Sequence, residues 1–210
     1  SWLNFNAASG VLSGTPTNSD VGSHAVTLRV TDAAGLFAEQ SFNINVTNVN
    51  DAPSISGSPL TTVAQDASYS FTPTARDVDT DTTLSFSISN KPSWANFNTS
   101  TGTLTGTPTN ADVGTTAGIV ISVSDGSLNA DLPGFNLEVT DVNDAPVVTS
   151  TAVSSATQGV LYSYSFTAAD VDVGDTLTRS VLSKPSWLNF NAASGVLSGT
   201  PTNSDVGSHA

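Results

Sequence analysis

The acidic side chains of the chain fall in short segments that recur along it. Of the 18 acidic residues 16 are Asp, and only 5 Lys or Arg residues oppose them, so the formal net charge is −13. One aspartate triplet is repeated: Asp77, Asp79 and Asp81 reappear as Asp170, Asp172 and Asp175. Short carboxylates mixed with Asn amides in loops suit Ca²⁺, which binds about six to eight oxygen ligands. Asp and Asn also form turns by bonding their own backbone, so composition alone leaves both interpretations open.

The residue types argue against catalytic chemistry. The chain has no Cys, which excludes disulfides and thiolate metal sites. Its two His residues, His24 and His209, occupy the same repeat position, and no Ser has a plausible His and acid within one repeat. Asp77 and Asp79 could mimic the carboxylate pair of a glycosidase, but a pair that recurs in each repeat favours metal binding. We therefore predict that the chain is not an enzyme.

Charge and hydropathy narrow the set of partners. A sequence pI near 4.1 argues against binding to nucleic acid, whose phosphates attract Lys and Arg. No apolar run approaches the roughly 18 to 20 residues of a membrane span. An absence of Cys, few Lys, and many Ser, Thr, Asn and Asp fit a secreted protein or one on the bacterial cell surface. We expect neither a nucleic-acid partner nor a membrane span.

Internal repeats set the domain organisation. Residues 1–25 recur unchanged as residues 186–210, a diverged copy occupies 93–114, and Asn-Asp-Ala-Pro stands at 50–53 and at 143–146. These spacings define a repeat of about 93 residues. They predict the C-terminal part of an upstream repeat at 1–53, a complete repeat at 54–146 and the N-terminal part of a downstream repeat at 147–210. The opening Ser1 without a Met suggests a segment of a longer polypeptide.

Apolar residues alternate with polar ones in short stretches separated by Gly, Pro, Asn and Asp, which is typical of β-strands. In the middle repeat the alternating positions are Tyr69 and Phe71; Leu84, Phe86 and Ile88; Ile119, Ile121 and Val123; and Phe135, Leu137 and Val139. Trp94 and Phe97 are expected to add bulk to the core. About seven short strands in such a unit predict an all-β fold, an array of immunoglobulin-like β-sandwiches.

Several motifs resemble known repeat families. The linker Asp/Asn-Val-Asn-Asp-Ala-Pro and the run Ala-x-Asp-Val-Asp resemble the linker and Asp-x-Asp motifs of cadherins. The run Phe-Asn-x-Ser-x-Gly-x-Leu-x-Gly-Thr-Pro-Thr, followed by a Val-x-Asp strand end, is similar to bacterial putative-Ig and dystroglycan-type cadherin-like repeats. The resemblance implies tandem Greek-key sandwiches of seven strands on large secreted or surface proteins, with Ca²⁺ at the junctions between repeats.

The resemblance also implies which residues bind Ca²⁺. At the first junction they are Asp20, Asn48, Asn50, Asp51, Asp77, Asp79 and Asp125. At the second junction they are Asp112, Asp141, Asn143, Asp144, Asp170 and Asp172, with a last position that Asp32 represents in the upstream copy. Two acids of the cadherin pattern are absent, one replaced by Gly22 or Gly114 and the other by Gln65 or Gln158. We therefore expect one or two ions at each junction, and weaker binding at the first, where Asn48 replaces an Asp.

Three functions remain open from the sequence. The first is a structural segment of a giant extracellular bacterial protein, an adhesin, whose array is stiffened by Ca²⁺. The second is a module that binds carbohydrate or protein, such as a glycan or another cell-surface ligand, through exposed aromatic residues, for which the candidates are Trp94, Tyr162 and Phe37. The third is a filament subunit, in which residues 147–210 of one copy pair head to tail with residues 26–53 of another; the split terminal repeats are otherwise an accident of how the chain is delimited.

Overall fold

A computed structural model describes residues 1–80 and 82–208. In this part of the chain the regular structure is β apart from three single-turn 3₁₀ helices, Asn18–Asp20, Asn110–Asp112 and Asn203–Asp205. The strands are β1 Leu3–Asn6, β2 Val11–Gly14, β3 Gly22–Thr31, β4 Phe37–Val46, β5 Ser54–Ser56, β6 Thr62–Ala64, β7 Tyr69–Phe71, β8 Thr74–Arg76, β9 Ser85–Ser89, β10 Ala95–Phe97, β11 Leu104–Gly106, β12 Gly114–Ser124, β13 Asn129–Asp131, β14 Phe135–Thr140, β15 Val147–Val148, β16 Tyr162–Ser165, β17 Ala168–Ala169, β18 Asn189–Asn191 and β19 Val196–Gly199. The predicted all-β fold is confirmed. None of the described helices is long and apolar enough to cross a bilayer.

The chain forms two compact units. The first consists of Ser1–Val63, Ala67–Thr107 and Gly114–Glu138. The second consists of Ala64–Asp66, Pro108–Val113 and the chain from Val139 onward. These units group residues by spatial contact and do not test the repeat boundaries at 53/54 and 146/147, which remain predictions.

The strands of residues 54–146 pair as two layers of a sandwich. One layer contains β10, β11 and β7 in that order, and β5 pairs with β8 as a separate two-stranded sheet. The other has the order β13-β12-β14-β6, and β9 also pairs with β12. The described part of this segment has ten short strands instead of the expected seven or so. Pro73 separates β7 from β8, and Pro133 separates β13 from β14, because proline has no N–H to donate to a ladder. A third break, around Gly57, separates β5 from β6.

The core of the first unit lies where the sequence alternation places it. Ile119, Ile121 and Val123 on β12 are completely buried. Leu104 on β11 and Leu137 on β14 are buried as well, and Trp94 and Phe71 are among the half-buried residues that pack against this cluster. Each fully buried side chain of this size contributes about 1.5–3 kcal/mol from removal of apolar surface from water. The predicted alternation in β12 and β14 is therefore confirmed.

The backbone of the tryptophan in each repeat lies very close to the glycine of the following Gly-Thr-Pro turn. The Trp94 ring meets the Tyr69 ring edge to face, with centroids 6.1 Å apart. A Cβ placed on Gly106 would lie 2.8 Å from the Trp94 carbonyl oxygen, and a Cβ on Gly199 would lie 2.1 Å from that of Trp187. Contacts below about 3 Å force the backbone to shift, so this position requires glycine.

The partial repeats at the two ends form smaller sheets. In the upstream part, β1 pairs with β2, and β3 pairs with β4 along ten residues from Gly22 opposite Val46 to Thr31 opposite Phe37. In the downstream part, β15 pairs with β17, and β19 lies between β16 and β18. Each part therefore retains strand pairs that match those of the middle repeat.

We expect Gly106→Ala to destabilise the middle repeat by about 1–3 kcal/mol, the usual cost of forcing an atom into a filled site. Calorimetry should show this as a lower melting temperature for the transition that reports this repeat. Gly134→Ala is the matched control, because its Cβ would lie 3.4 Å from Val120 Cγ2, an ordinary contact. Equal melting temperatures for Gly106→Ala and Gly134→Ala would contradict the close approach to Trp94.

Candidate cation sites at the repeat junctions

A short 3₁₀ turn precedes the late strands of each repeat and is capped by its own residues. Asp20 Oδ2 accepts hydrogen bonds from Thr17 N at 2.9 Å and Thr17 Oγ1 at 2.8 Å. Asp112 accepts the same pair from Thr109, both at 2.8 Å. The bond from the Thr17 N–H is the largest cause that lowers the pKa of Asp20. The structure thus gives the predicted ligands Asp20 and Asp112 a turn-forming contact.

The first residue of this turn connects it to the junction. Asn18 Nδ2 donates to Asp79 Oδ1 at 2.8 Å and to Asp51 Oδ2 at 3.3 Å. The sequence analysis missed Asn18. The sequence does contain a feature that points to this residue, because the same Asn recurs at positions 18, 110 and 203 in the Thr-Asn-Ser/Ala-Asp turn.

Asp79 is the centre of the first junction. It is only 7% exposed, and its Oδ2 accepts a hydrogen bond from the backbone N–H of Asp51 at 2.8 Å. That backbone bond is the largest cause that lowers the pKa of Asp79, and side-chain bonds from Asn18 and Asn48 act in the same direction. The nearby charge of Asp125 opposes them. Asp79 is therefore held as a carboxylate although it is buried and close to another negative charge.

Asp77 has an oxygen that no hydrogen bond satisfies. Its Oδ1 accepts a bond from the Asp79 N–H at 2.9 Å. Its Oδ2 is buried and has no hydrogen-bond partner within the described residues. A buried, unpaired carboxylate oxygen is costly, and a cation bound there would satisfy it.

The linker reaches a further carboxylate of the middle repeat. Asn50 Nδ2 donates to Asp125 Oδ2 at 2.8 Å. The other oxygen of Asp125 accepts the backbone N–H groups of Ser127 and Leu128 at 2.6 and 2.7 Å. The Leu128 bond is the main cause that lowers the pKa of Asp125. The structure thus brings six of the seven predicted first-junction residues into one network: Asn48, Asn50, Asp51, Asp77, Asp79 and Asp125.

Asp32, the upstream equivalent of Asp125, caps the turn between β3 and β4. Its Oδ1 accepts the backbone N–H groups of Ala34 and Leu36 at 3.0 and 2.9 Å. Asp32 and Asp125 therefore both cap a hairpin turn by accepting two backbone N–H groups, and Asp125 adds the bond from the linker.

The second junction, which lies in the second unit, repeats the central contacts of the first. Asn110 Nδ2 donates to Asp172 Oδ1 at 2.7 Å, and the Asp144 N–H donates to Asp172 Oδ2 at 2.6 Å. Asp172 is 6% exposed, and its own N–H donates to Asp170 Oδ1 at 3.1 Å. The same four-residue arrangement therefore forms twice from diverged sequences.

A group of three carboxylates stands at this junction. Oxygens of Asp170, Asp172 and Asp175 lie within 4.8 Å of one another. The structure thus adds Asp175, the third member of the repeated triplet, to the predicted ligands Asp170 and Asp172. Asn143 Nδ2 donates to the carbonyl oxygen of Asp144 at 2.8 Å, and Asp141 is exposed. The triplet equivalent Asp81 lies outside the described residues, as does His209.

Gln65 occupies the position where the cadherin pattern has a glutamate. It is 4% exposed, and its Nε2 donates to Asp144 Oδ2 at 2.9 Å. Its Oε1 is buried and has no hydrogen-bond partner in residues 1–80 and 82–208. The amide thus contributes a neutral oxygen where the pattern has a charged one.

The oxygen-rich composition of both junctions fits a hard divalent cation. Ca²⁺ accepts carboxylate, amide and backbone carbonyl oxygens at about 2.3–2.6 Å in a flexible geometry. Asp77 at the first junction and Gln65 at the second each have a buried oxygen without a hydrogen-bond partner among the described residues. A bound cation would satisfy either oxygen. The residues present therefore fit Ca²⁺, and their identification as ligands remains a prediction.

The aromatic candidates for ligand binding have other contacts. Trp94 packs against the core of the first unit. Tyr162 donates its hydroxyl to the Val153 carbonyl oxygen at 2.8 Å. Phe37 is exposed, but the Arg29 guanidinium lies 4.0 Å from its ring centroid. Trp94 thus has the structural position expected of it, and carbohydrate binding remains a prediction.

The layered sandwich and the acidic junctions define a class of tandem immunoglobulin-like or cadherin-like repeats. The sequence family described as "Putative Ig domain" matches residues 1–47, 52–140 and 145–210. The chain belongs to this family. No curated protein sequence matches it.

Cadherin ectodomains share the fold. The EC22–24 fragment of mouse cadherin-23 aligns with a TM-score of 0.54 and 16% identity, over 96% of this chain and 72% of that one. The protocadherin GammaB4 extracellular domain aligns with a TM-score of 0.51 and 21% identity, over 95% of this chain and 36% of that one. An endo-fucoidan hydrolase of glycoside hydrolase family 107 aligns with 25% identity over 98% of this chain and 34% of that one, but its TM-score is only 0.35. The chain spans about a third of the length of the hydrolase and the protocadherin.

We expect the Asp79 carboxyl to titrate below the usual aspartate pKa of about 3.9 in the folded protein without added metal. Because the folded pKa is lowered, the stability that this group contributes is present above the unfolded pKa and is lost as the pH falls through the folded value. Carboxyl NMR titration in chelator should show the low midpoint, and Asn18→Ala should raise it.

Asn203→Ala is the matched control, since Asn203 holds the same place in the third 3₁₀ turn. It should leave the Asp79 titration unchanged. A midpoint at or above 3.9 in the wild-type chain would show that the hydrogen bonds to Asp79 do not outweigh its burial and the charge of Asp125.

Proposed function

We propose that the chain is a structural segment of a large extracellular bacterial protein, an adhesin, in which Ca²⁺ at the junctions stiffens a tandem array of sandwich repeats. The observation that carries the proposal is the buried, unpaired Oδ2 of Asp77 beside the Asp79 carboxylate. Here an unsatisfied anionic oxygen lies next to a second buried carboxylate. Buried negative charges without a positive partner are costly. A divalent cation bound between these carboxylates would neutralise their charge.

The proposed ligands come from both sides of the predicted repeat boundary. Asn48, Asn50 and Asp51 belong to the linker before Pro53, whereas the Asp77–Asp79 pair and Asp125 belong to the middle repeat. Ca²⁺ would supply two positive charges and flexible oxygen coordination here. Residues from both sides that share one ion cannot move apart without breaking coordination, so the hinge between the repeats would become stiff.

Hydrogen bonds already hold much of the proposed site together. Asp79 receives the linker through the Asp51 N–H, and Asn50 reaches Asp125. This preorganisation reduces the entropy that ion binding must overcome. Repulsion between Asp79 and Asp125 acts in the opposite direction. The balance favours moderate affinity, because the first junction has fewer charges than the cadherin pattern, with Gly22 and Asn48 at two positions where that pattern has acids.

The composition supports an extracellular location. A net charge of −13 and the absence of Cys suit a surface protein in a medium rich in Ca²⁺. The proposed partners are the neighbouring repeats of the same polypeptide, and binding to a host or cell-surface target would belong to the parent protein. The proposal assigns no catalytic activity to the chain.

We expect calorimetry on the full chain to show saturable Ca²⁺ binding, with an increase in melting temperature that chelator reverses. Asp77→Asn keeps the shape of the side chain but removes its charge, and it should weaken first-junction binding at least tenfold. Asp131→Asn makes the same change at an exposed position on β13 and should bind like the wild type. No heat of binding in the wild-type chain would remove the calcium proposal and leave the aspartates as turn formers.

Rigidity can be measured separately from binding. The chain has no Cys, so spin labels can be attached at Ser9→Cys in the upstream part and Ser100→Cys in the middle repeat, both exposed positions. Ca²⁺ should narrow the distribution of distances between the labels. The same pair in the Asp77→Asn chain should keep a broad distribution. Binding without any narrowing would make the ion a local stabiliser and refute the stiffening role.

A further inference from the structure

Three turns of the chain share one geometry centred on an asparagine. In each turn the Asn Oδ1 accepts the backbone N–H groups of the second and third residues that follow. In the middle repeat Asn98 Oδ1 accepts those of Ser100 and Thr101 at 2.8 and 3.2 Å. The equivalent pair of bonds measures 3.0 and 3.1 Å at Asn6, and 3.1 Å for both at Asn191. Such an Asx turn fixes the direction in which the side-chain amide points.

The turn in the middle repeat differs from the other two in one functional group. Asn98 is followed by Thr99 and Ser100, which makes the tripeptide Asn-Thr-Ser. The residues equivalent to Ser100 in the other two turns are Ala8 and Ala193. Asn-x-Ser/Thr, with any x except Pro, is the acceptor sequence of N-linked glycosylation. The three turns thus share their hydrogen bonds, and of the three only the Asn98 turn carries the hydroxyl that the acceptor sequence requires.

The side-chain amide of Asn98 is accessible. Asn98, Thr99 and Ser100 are all exposed. The Oδ1 atom of Asn98 takes both turn bonds, while its Nδ2 has no hydrogen-bond partner within residues 1–80 and 82–208. A glycosyltransferase must reach both the amide nitrogen and the hydroxyl two residues later. Asn98 and Ser100 meet this requirement, because the bond from the Ser100 N–H holds the two residues together on one exposed turn.

An open depression beside this turn has the chemistry to hold a sugar. Its volume is about 540 Å³, and none of its lining residues is charged although the chain as a whole is strongly acidic. Besides Asn98 the lining includes Asn96, Thr101, Thr103 and Thr105. The hydroxyl oxygens of Thr101 and Thr103 lie 2.8 Å apart. Hydroxyl and amide groups both donate and accept hydrogen bonds, so this lining complements the hydroxyls of a neutral sugar.

We propose that Asn98 is an acceptor of N-linked glycosylation in the folded chain and that the first sugar lies over this depression. In the transfer, Asn98 Nδ2 forms a bond with the anomeric carbon of a sugar carried on a pyrophosphate, and a base of the glycosyltransferase takes the amide proton. The bond from that carbon to the pyrophosphate oxygen breaks, and the pyrophosphate leaves with the electron pair. Nucleotide sugars and lipid-linked sugars both present this leaving group. Ca²⁺ takes no part in the transfer, so the site stands apart from the proposed calcium role.

A second acceptor sequence in the chain provides an internal control. Asn45, Val46 and Thr47 form the tripeptide Asn-Val-Thr, and Asn45 is exposed. However, Asn45 lies on β4 and is paired with Ser23 of β3. The extended backbone of a paired strand does not fold into an Asx turn. We therefore expect little transfer to Asn45, since the turn is needed as well as the sequence.

Glycosyl transfer to the folded full chain tests the proposal. One reaction contains a soluble N-glycosyltransferase with UDP-glucose, and another contains a membrane oligosaccharyltransferase with a lipid-linked oligosaccharide. Peptide mass spectrometry locates the sugar, and the reaction that gives product identifies the donor. We expect Asn98 to be modified at least tenfold more than Asn45, and Asn6 and Asn191 to stay unmodified. An unstructured acceptor peptide in the same tube reports that each transferase is active, so the absence of sugar on Asn98 in both reactions would overturn the proposal.

Matched variants separate the turn from the sequence. Ser100→Ala should abolish transfer to Asn98, whereas Thr99→Ala, which leaves the acceptor sequence intact, should retain it. Ala193→Ser gives the Asn191 turn the missing hydroxyl and should convert Asn191 into an acceptor. Transfer to Asn98 that survives Ser100→Ala, or equal modification of Asn45 and Asn98 in the wild-type chain, would refute the role of this turn.

The position of the attached sugar has its own test. Methyl NMR signals of Thr103 and Thr105, which line the depression, should shift when Asn98 is glycosylated. The methyl signal of Thr62 on β6 should not move. Unchanged signals of Thr103 and Thr105 in the glycosylated chain would show that the sugar points into solvent, and would overturn its placement over the depression.

Discussion

A buried carboxylate that accepts a backbone N–H from the linker is the contact on which each junction depends. Asp79 accepts the N–H of Asp51, and Asp172 accepts that of Asp144. The same carboxylates receive the amide of the 3₁₀ turn, from Asn18 and Asn110 respectively. One side chain thus ties together the turn, the linker and the following repeat. The cost of its burial is offset by these donors, because charge-assisted hydrogen bonds are stronger than neutral ones.

The same arrangement concentrates negative charge. Asp125 acts against ionisation of Asp79, and Asp77 retains an oxygen without a partner in the described chain. An aspartate that only forms a turn does not need nearby negative charge or an unpaired oxygen. Asp32 and Asp20, for example, form their turns by accepting hydrogen bonds from local N–H and hydroxyl groups alone. The difference between these two kinds of aspartate is the physical basis for the proposed ion. It also explains why a lone turn motif is not a candidate site, whereas a turn, a linker and an Asp-x-Asp pair together form the one that we propose.

The sandwich itself depends on complementary layers. The middle repeat buries β12 because β9 and β14 pair with it and side chains of the opposite layer pack against it. The backbone of Trp94 lies against Gly106, which leaves room for the tryptophan carbonyl. In the upstream hairpin Val30, the equivalent of the fully buried Val123, is 70% exposed. A strand pair is therefore not a stable domain by itself.

Local sequence patterns determined the repeat length, the all-β class, the strands with alternating apolar residues and the sets of acidic residues. These follow from side-chain periodicity and turn chemistry, which act over a few residues. The sequence could not show that Asn18 bonds Asp79, that Asp77 keeps an unsatisfied oxygen, or that Gln65 reaches Asp144, because these pairs are far apart along the chain. The splitting of about seven strands into ten was also missed, since Pro73 and Pro133 break strands only in relation to their neighbours in the sheet. Tertiary structure decided these features because hydrogen-bond partners and burial depend on which distant segments meet, whereas periodicity describes only one segment at a time.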